Sequence, residues 1–214
     1  MRVLRLAPIA VAVISLTSLA HADSDRERTH LELTWGFLGG ERSYAHQSFA
    51  YSEGGASPAL EAPFVGAPFD GVPVAGMGFE VRWTTNGVRA GIGAEYPFPR
   101  IEPDIMLAVA GGGPAAKVRS LETQEFRMSI GYEVLLGDLF TVYGDVIGTA
   151  YSADAKVVLG NEQSTYSTSG FGFSARGGGS VLINEHYFAY AHVEGGLTEH
   201  VLWAGHAGVG FRVP

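Results

Sequence analysis

Glutamate and arginine recur two residues apart in this sequence. Glu80 precedes Arg82 and Glu125 precedes Arg127, with an apolar residue between the members of each pair. Because side chains of a strand alternate between its two faces, both members of such a pair lie on one face. Buried charges persist only when they are paired and hydrogen-bonded. We therefore predict an interior charge network formed by Glu80, Arg82, Arg89, Glu95, Glu125, Arg127, Glu133, Asp145 and Arg176.

The histidines are the other residues with possible catalytic or metal-binding chemistry. A hydrolase needs a nucleophile, a base and an orienting group within hydrogen-bond reach. His192 and His206 fall on the polar face of their segments, which favours packing against network carboxylates. His186 and His192 are roughly 20 Å apart along a strand, too far to share a metal ion. His30 has no partner at ligand spacing, so we expect no catalytic residue, metal or cofactor.

The composition excludes several classes of protein. Apolar residues make up 46% of the 214 residues, charged residues only 17%, and glycine occurs 30 times. A soluble domain usually carries about 25% charged residues. The chain has no cysteine, which excludes disulfides and thiolate metal sites. With 14 basic against 22 acidic residues it lacks the basic stripe of a nucleic-acid-binding protein.

The first 22 residues differ in kind from the rest. Arg2 and Arg5 precede an uncharged, mostly apolar stretch over 6–20, and Ala20-His21-Ala22 fits the small-x-small cleavage pattern. This is the layout of a secretory signal peptide. The apolar stretch is short for a membrane span. We therefore predict a cleaved signal peptide at 1–22 and one domain at 23–214.

After residue 22 the main pattern is apolar and polar alternation with period two, which predicts β-strands with two different faces. In the last strand the apolar face is predicted to hold Val201, Trp203, Gly205, Ala207, Val209, Phe211 and Val213. In 186–195 the outer face holds Tyr187, Ala189, Ala191 and Val193 if His186, His192 and Glu194 point inward. The predicted strands are residues 31–37, 75–84, 88–96, 124–134, 139–151, 169–182, 186–195 and 201–213.

The connections alternate between short and long. Thr85-Asn86-Gly87, Leu136-Gly137-Asp138 and Asn184-Glu185 join strands tightly, and Asn-Gly is a strong hairpin signal. The longer connections are predicted at 39–73, 97–118, 152–167 and 196–199. Outer-membrane barrels have this asymmetry, with short periplasmic turns and longer extracellular loops. We predict an all-β, antiparallel transmembrane barrel of about eight strands.

The two faces fit such a barrel. Charges facing lipid would cost a few kcal/mol each near the midplane, whereas an eight-strand interior is just wide enough to be filled by side chains. The apolar run at 105–110 allows three interpretations: a strand extension, a lid or a further strand. Ten strands is the alternative if 104–110 and 155–160 both enter the sheet. Aromatic girdles are predicted from Trp35, Phe37, Tyr96, Phe171 and Trp203 at one interface and Trp83, Tyr132, Phe140 and Phe211 at the other.

The signal peptide, the Val209-Phe211-Val213 strand and the alternating connections together resemble the small outer-membrane barrels of the OmpA and OmpX type. The resemblance is architectural and rests on no motif. It implies a bacterial outer-membrane location with loops facing the cell exterior. It also implies contact with outer-membrane lipid and lipopolysaccharide, insertion by the barrel-assembly machinery, and a monomer. One departure is that the chain continues beyond Phe211 to Pro214, whereas the family's strands usually finish on an aromatic residue.

Three functions follow from this resemblance. We expect a structural or surface-interaction barrel without an open pore, because paired charges would block a narrow lumen. The alternatives are a narrow channel for small or hydrophobic solutes, as in barrels resembling OmpW, and a lipid A-modifying enzyme. Deacylases of this class carry His-x-Ser, where this chain has His206-Ala207-Gly208; His200 and His206 are the residues that would test that alternative.

The predicted loops at 39–73 and 97–118 are acidic, which suggests divalent cations that bridge them to lipopolysaccharide. Their charges are Glu41, Glu53, Glu61, Asp70, Glu102 and Asp104 against Arg42, Arg100 and Lys117.

Overall fold

A computed structural model of the chain describes residues 29–44, 50–54, 69–101, 106–107 and 115–213. Every regular element of this part is a β-strand. No helix in it is long and apolar enough to cross a membrane. The strands are β1 (His30–Arg42), β2 (Ala50–Gly54), β3 (Val72–Thr85), β4 (Val88–Pro97), β5 (Arg100–Ile101), β6 (Met106–Leu107), β7 (Ala116–Leu136), β8 (Phe140–Leu159), β9 (Glu162–Leu182), β10 (Tyr187–Gly196) and β11 (Val201–Val213).

Eight of these strands close into a ring. The order is β10-β11-β1-β3-β4-β7-β8-β9, and β9 pairs with β10 to complete it. Every pairing is antiparallel. The predicted eight-strand antiparallel barrel is confirmed.

The three short strands do not add a further strand to the ring. β2 lies along β9, while β5 and β6 lie along β7. Residues 106–107 and 155–159 do enter the sheet, but as continuations of existing ladders. The ten-strand alternative is therefore wrong. Met106 and Leu107 support a strand extension for the apolar run, whose other residues lie outside the described part.

Three tight turns lie at one end of the barrel, which we call the tight-turn end. Asn86 and Gly87 have φ of 50° and 79° between β3 and β4. A two-residue hairpin with both central residues at positive φ matches the twist of the strands it joins, and Asn-Gly is the favoured pair. The other turns span 137–139 and 183–186. We call the opposite end the long-connection end.

At the long-connection end one predicted loop is wrong. Residues 152–167 belong to a continuous β8–β9 hairpin that turns at Gly160 and Asn161, whereas the predicted connection at 196–199 corresponds to a four-residue turn at 197–200. β7, β8 and β9 have 20 or 21 residues, whereas the other ring strands have 10 to 14. A membrane strand needs about 9–11 residues. The surplus forms the extension, defined as residues 116–124, 152–159 and 162–169 with β2, β5 and β6.

A register shift changes the predicted face of one residue in β11. Glu41 pairs with Trp203 and Arg42 with Val201, so Leu202 is an additional residue between them. Such a bulge reverses the side-chain alternation locally. Val201 is 2% exposed and points inward, contrary to its predicted position on the outer face.

Candidate functional site

Charged side chains fill the interior of the ring. Of the nine residues that we predicted to form an interior network, Glu80 is half-buried and the other eight are buried. Glu32 and Arg212 on the same face join them, as does Glu194 of β10. Arg42 joins them too, although the sequence placed it in a surface loop; β1 runs on to this residue and its side chain is 0% exposed.

Arg176 is buried in the interior and binds two carboxylates. Its Nε donates to Asp145 Oδ2 at 2.6 Å, and its two terminal nitrogens donate to the carboxylate of Glu80 at 2.7 Å each. Ser129 Oγ donates to Glu80 as well. A Cβ at Gly91 would lie 2.6 Å from Glu80 Oε1, so this glycine makes room for the carboxylate. Arg176 therefore pairs with two carboxylates, and both carboxylate oxygens of Glu80 accept hydrogen bonds.

A second group lies closer to the long-connection end. Arg127 contacts the carboxylates of Glu95 and Glu194. His206 lies 3.5 Å from Glu194 and 3.7 Å from Glu95, and its ring stacks on His192 with centroids 4.4 Å apart. The interior therefore packs these two histidines against each other and places His206 beside the two carboxylates.

The last polar group is close to the long-connection end. Arg42 binds Glu125 at 3.0 Å and Glu95 at 2.9 Å. His200 Nε2 lies 3.3 Å from Glu125, while its Nδ1 lies 3.1 Å from the carbonyl oxygen of Ser43. Both ring nitrogens of His200 therefore face an acceptor oxygen, the Glu125 carboxylate on one side and the Ser43 carbonyl on the other.

At the tight-turn end, two arginines share Glu32. Arg212 binds this carboxylate at 2.7 Å and Arg82 lies 3.7 Å from it. His30 lies 3.5 Å from Glu32 and 3.6 Å from Glu133, so our statement that His30 lacks a partner at ligand spacing is wrong.

Two groups of side chains in the described residues have the donor set of a metal site: His30, Glu32 and Glu133, and Glu95, Glu194 and His206. Guanidinium groups already compensate both groups. Arg82 and Arg212 neutralise the first, and Arg127 bridges the two carboxylates of the second. Bringing a divalent cation beside these arginines would add like-charge repulsion in a poorly solvated site. The electrostatics favour the ion pairs.

Above the network the interior becomes apolar. A cluster inside the extension, which we call the apolar cap, has almost no contact with solvent. Burial raises the pKa of the Tyr44 hydroxyl, so this phenol stays neutral. Tyr151 stacks on His200 with centroids 3.9 Å apart and connects the cap to the network. The cap consists of Tyr44, Phe69, Val72, Ala116, Val118, Leu121, Tyr151, Ala153, Ala155, Val157 and Tyr166.

On three strands the polar and the apolar residues change sides, from inside to outside and the reverse, at the same level of the barrel. On β7, residues from Phe126 onward are apolar outside and polar inside, whereas from Gln124 backward the outside is polar. The same reversal occurs at Ser152 on β8 and at Ser169 on β9. Gln124 pairs with Ser152, and Ser152 with Ser169. These three residues form a line, the polarity boundary, between an apolar and a water-exposed exterior.

The outer face below this boundary is apolar and aromatic. Seven of the nine residues predicted for the girdles are between 43% and 66% exposed. Tyr132 and Phe211 are half-buried: Tyr132 lies over the Gly87 turn, and Phe211 packs against Tyr187 at 5.2 Å. The exposed seven are Trp35, Phe37, Trp83, Tyr96, Phe140, Phe171 and Trp203.

The sequence matches no protein-family model and no curated protein. Solved structures do match the fold. The outer membrane protein OprG from Pseudomonas aeruginosa aligns with a TM-score of 0.57 and 12% identity over 88% of this chain and 97% of OprG. Ail, the attachment invasion locus protein of Yersinia pestis, solved with the heparin analogue sucrose octasulfate, aligns with a TM-score of 0.51 and 12% identity over 87% of this chain and 99% of Ail.

These alignments cover nearly the whole of both known barrels. The chain therefore has the fold of the small outer-membrane barrels of the OmpA and OmpX type.

Proposed function

We propose that this chain is an outer-membrane barrel with a sealed interior, which acts through the surface of its extension and loops. It is exported by a signal peptide at 1–22, and the long-connection end faces the cell exterior. The apolar, aromatic outer face below the polarity boundary supports the membrane location, because such a face is stable in lipid. We also propose that the barrel-assembly machinery inserts the chain and that the chain is a monomer.

The observation that carries the proposal is a double barrier along the interior. The charge network spans the cross-section of the ring, and the apolar cap lies above it. The cavity between Arg127 and Arg176 measures about 30 Å³. That is room for one or two water molecules. An ion would have to cross paired charges and then a dry apolar layer.

Conductance in a planar bilayer tests the seal. We expect the purified chain to show no steady single-channel steps. A matched variant with the network opened, Arg176→Ala with Glu80→Ala, should also show no steps, because the apolar cap still closes the interior. Steady steps from the unaltered protein would support the narrow-channel alternative instead.

The enzymatic alternative has little support in the interior geometry. His206 points inward at 8% exposure, and both nitrogens of His200 face a partner. Mass spectrometry of lipid A after incubation with the protein should show no lost acyl chain. Loss of a chain, abolished by His200→Ala or His206→Ala, would establish an enzyme.

The orientation can be tested with single cysteines, since the chain has none. Asn161 is exposed at the β8–β9 turn and Asp138 is exposed at the tight-turn end. A membrane-impermeant maleimide should label Asn161→Cys on intact cells and leave Asp138→Cys unlabelled. The reverse pattern would invert the proposed topology.

The acidic loops remain a proposal for cation-mediated contact with lipopolysaccharide. Asp70 is exposed, and Glu41 is half-buried at the end of β1. Arg42 and Lys117 do not belong to these loops, because they lie in the interior and on β7. Side chains of the other named loop residues lie outside what the structure describes.

A further inference from the structure

The imidazole ring of His200 lies between two oxygen atoms that accept hydrogen bonds. Its Nδ1 is 3.1 Å from the backbone carbonyl oxygen of Ser43, and its Nε2 is 3.3 Å from Oε1 of Glu125. A neutral imidazole donates from one nitrogen and accepts at the other, whereas the protonated ring donates from both. When Nδ1 donates to the carbonyl, a neutral ring turns the lone pair of Nε2 toward the Glu125 carboxylate. The two acceptors therefore favour the protonated ring.

The charges of the two polar groups nearest the long-connection end favour the same form of His200. Among the side chains that the structure describes, these groups have three carboxylates and two guanidinium groups: Glu95, Glu125 and Glu194 with Arg42 and Arg127. With neutral histidines the groups have one negative charge in excess. The ring of His200 is only 4% exposed, and a buried charge persists only beside a partner. A proton on His200 balances the excess at Glu125.

Two aromatic rings pack against the imidazole. Tyr151 of β8 stacks on His200 with centroids 3.9 Å apart and an angle of 10° between the planes, and Tyr44 meets it edge-on at 5.5 Å. A cation over the face of an aromatic ring is attracted by the quadrupole of that ring. The stacked geometry is therefore also better suited to the protonated imidazole.

The groups that face His200 come from several elements. β9 approaches it through Gly172, where an added Cβ would lie 2.8 Å from the Cβ of His200, so a side chain has no room there. Glu125 of β7 is the carboxylate that contacts the imidazole. In this part of the chain the titratable or charged groups around the ring are Glu125, Tyr44 and Tyr151, with Arg42 bound to Glu125 and the exposed Glu199 next in sequence.

His200 joins strands on opposite sides of the ring. It ends the turn at 197–200 immediately before β11, and β7, which carries Glu125, is four places from β11 in the eight-strand order. Ser43 directly follows β1, and its backbone N–H donates to the carbonyl oxygen of His200 at 2.7 Å. One imidazole therefore connects the end of β1 and the β10–β11 turn to β7, where the apolar cap meets the charge network. We call Ser43, Glu125 and His200 the latch.

We propose that the latch is a pH-sensitive device, closed by the protonated imidazole of His200. Histidine ordinarily changes its charge between about pH 5 and pH 8. Because the fold contacts the protonated ring at both nitrogens, the latch is closed at the acid end of this range, where Arg42 favours the ionised form of Glu125. Loss of the proton as the pH rises removes the donor toward Glu125, and the latch opens. This inference goes beyond the proposed function and depends neither on the orientation of the barrel nor on its conductance.

Nitrogen NMR of the histidine rings in the purified full chain, held in phospholipid nanodiscs, tests the protonation. At about pH 5 both ring nitrogens of His200 should have the similar chemical shifts of an imidazolium, and at about pH 8 the dissimilar shifts of a neutral ring. His200→Gln assigns the signals by removing them. His206→Gln is the matched control, because His206 also lies near two carboxylates. A buried histidine without a partner charge would stay neutral, so a neutral His200 at the lower pH would overturn the inference. Imidazolium signals that disappear with His206→Gln would overturn it as well.

Hydrogen exchange of the Ser43 amide reports whether the latch opens, because this N–H donates to His200. Its protection factor, which corrects for the intrinsic effect of pH on exchange, should be at least about tenfold lower at the higher pH, since a hydrogen bond to a charged group is worth about that factor or more. His200→Asn keeps a donor for the Ser43 carbonyl but has no proton to lose, so its low protection should be the same at both pH values. Amides of the β3–β4 hairpin should be unaffected and show that each sample is folded. Equal protection of Ser43 at both pH values in the unaltered chain would overturn the inference, and so would an equal fall in His200→Asn.

Discussion

The interior charge network and the apolar cap are lined by the same three strands, yet they have opposite chemistry. Below the polarity boundary β7 presents Glu125 and Arg127 to the interior, and above it the same face presents Leu121 and Val118. The exterior changes in the opposite sense. In the membrane location that we propose, the lipid around the ring explains why its charges face inward. The extension, with polar residues outside, has an ordinary apolar core inside.

The two regions should also differ in how they are stabilised. The network depends on pairing, because a buried charge without its partner is strongly unfavourable. The cap depends on filled volume, since its residues contribute by burial and packing. Mutations that remove a charge and mutations that remove volume distinguish the two.

The largest expected effect is the loss of one network charge. Arg176→Ala would leave Glu80 and Asp145 without their shared partner, and we expect a loss of about 3–5 kcal/mol. Urea unfolding in phospholipid vesicles, followed by tryptophan fluorescence, measures it. Arg119→Ala is the control, because this outward-facing arginine should change stability by about 0.5 kcal/mol or less. A loss below about 1 kcal/mol for Arg176→Ala would mean that water replaces the missing partner, and the network would then not depend on pairing.

Removal of volume from the cap should have the next largest effect. Leu121→Ala deletes a 4%-exposed side chain, and comparable substitutions cost about 2–5 kcal/mol. Because the extension lies outside the ring, this loss should appear as local opening of 116–124 and 152–169. Hydrogen exchange would detect it there, with the strands below the boundary still protected. Uniform loss of protection would show that cap and ring unfold as one unit.

The third prediction concerns the coupling energy between two paired charges in the interior. Arg212 binds Glu32 through Nε and Nη2 at 3.1 and 2.7 Å in the interior. A double-mutant cycle with Arg212→Gln and Glu32→Gln should give a coupling energy of about 0.5–3 kcal/mol. Strict additivity in the unfolding experiment would place this pair outside the network.

The ring could be predicted because its strands keep one phase of alternation, apolar outside and polar inside, below the polarity boundary. The predicted strands 124–134, 139–151 and 169–182 stop at or next to the polarity boundary, where apolar-out becomes polar-out. Beyond the boundary the alternation continues with polar residues outside and apolar residues inside. In the sequence such a segment breaks the apolar-out pattern of the strand and therefore resembles a loop. The face of Val201 was missed for a related reason, since the bulge at Leu202 depends on the partner strand.

The interior residues below the boundary could be predicted from the sequence because the charged residues of each strand alternate with apolar ones and therefore share one face. Arg42 could not, because β1 was predicted to end before it and its partners Glu95 and Glu125 belong to distant strands. Pairings within the network could not be predicted either. Glu125 pairs with Arg42 rather than with an arginine of its own strand, and only the ring closure brings the two together.

The smallest expected effect concerns an ion pair of the same chemistry on the outside of the extension. Lys156 and Glu122 are 2.9 Å apart but 41% and 47% exposed. Water solvates both charges whether or not they meet, so the pair gains little on folding. A double-mutant cycle with Lys156→Ala and Glu122→Ala should give a coupling energy of about 0.2–1 kcal/mol, falling further at high salt. The same unfolding assay as for Arg212 and Glu32 makes the two cycles directly comparable. A surface coupling as large as the interior one would show that pairing geometry, rather than burial, determines the strength of these charges, and the contrast between the two regions would then fail.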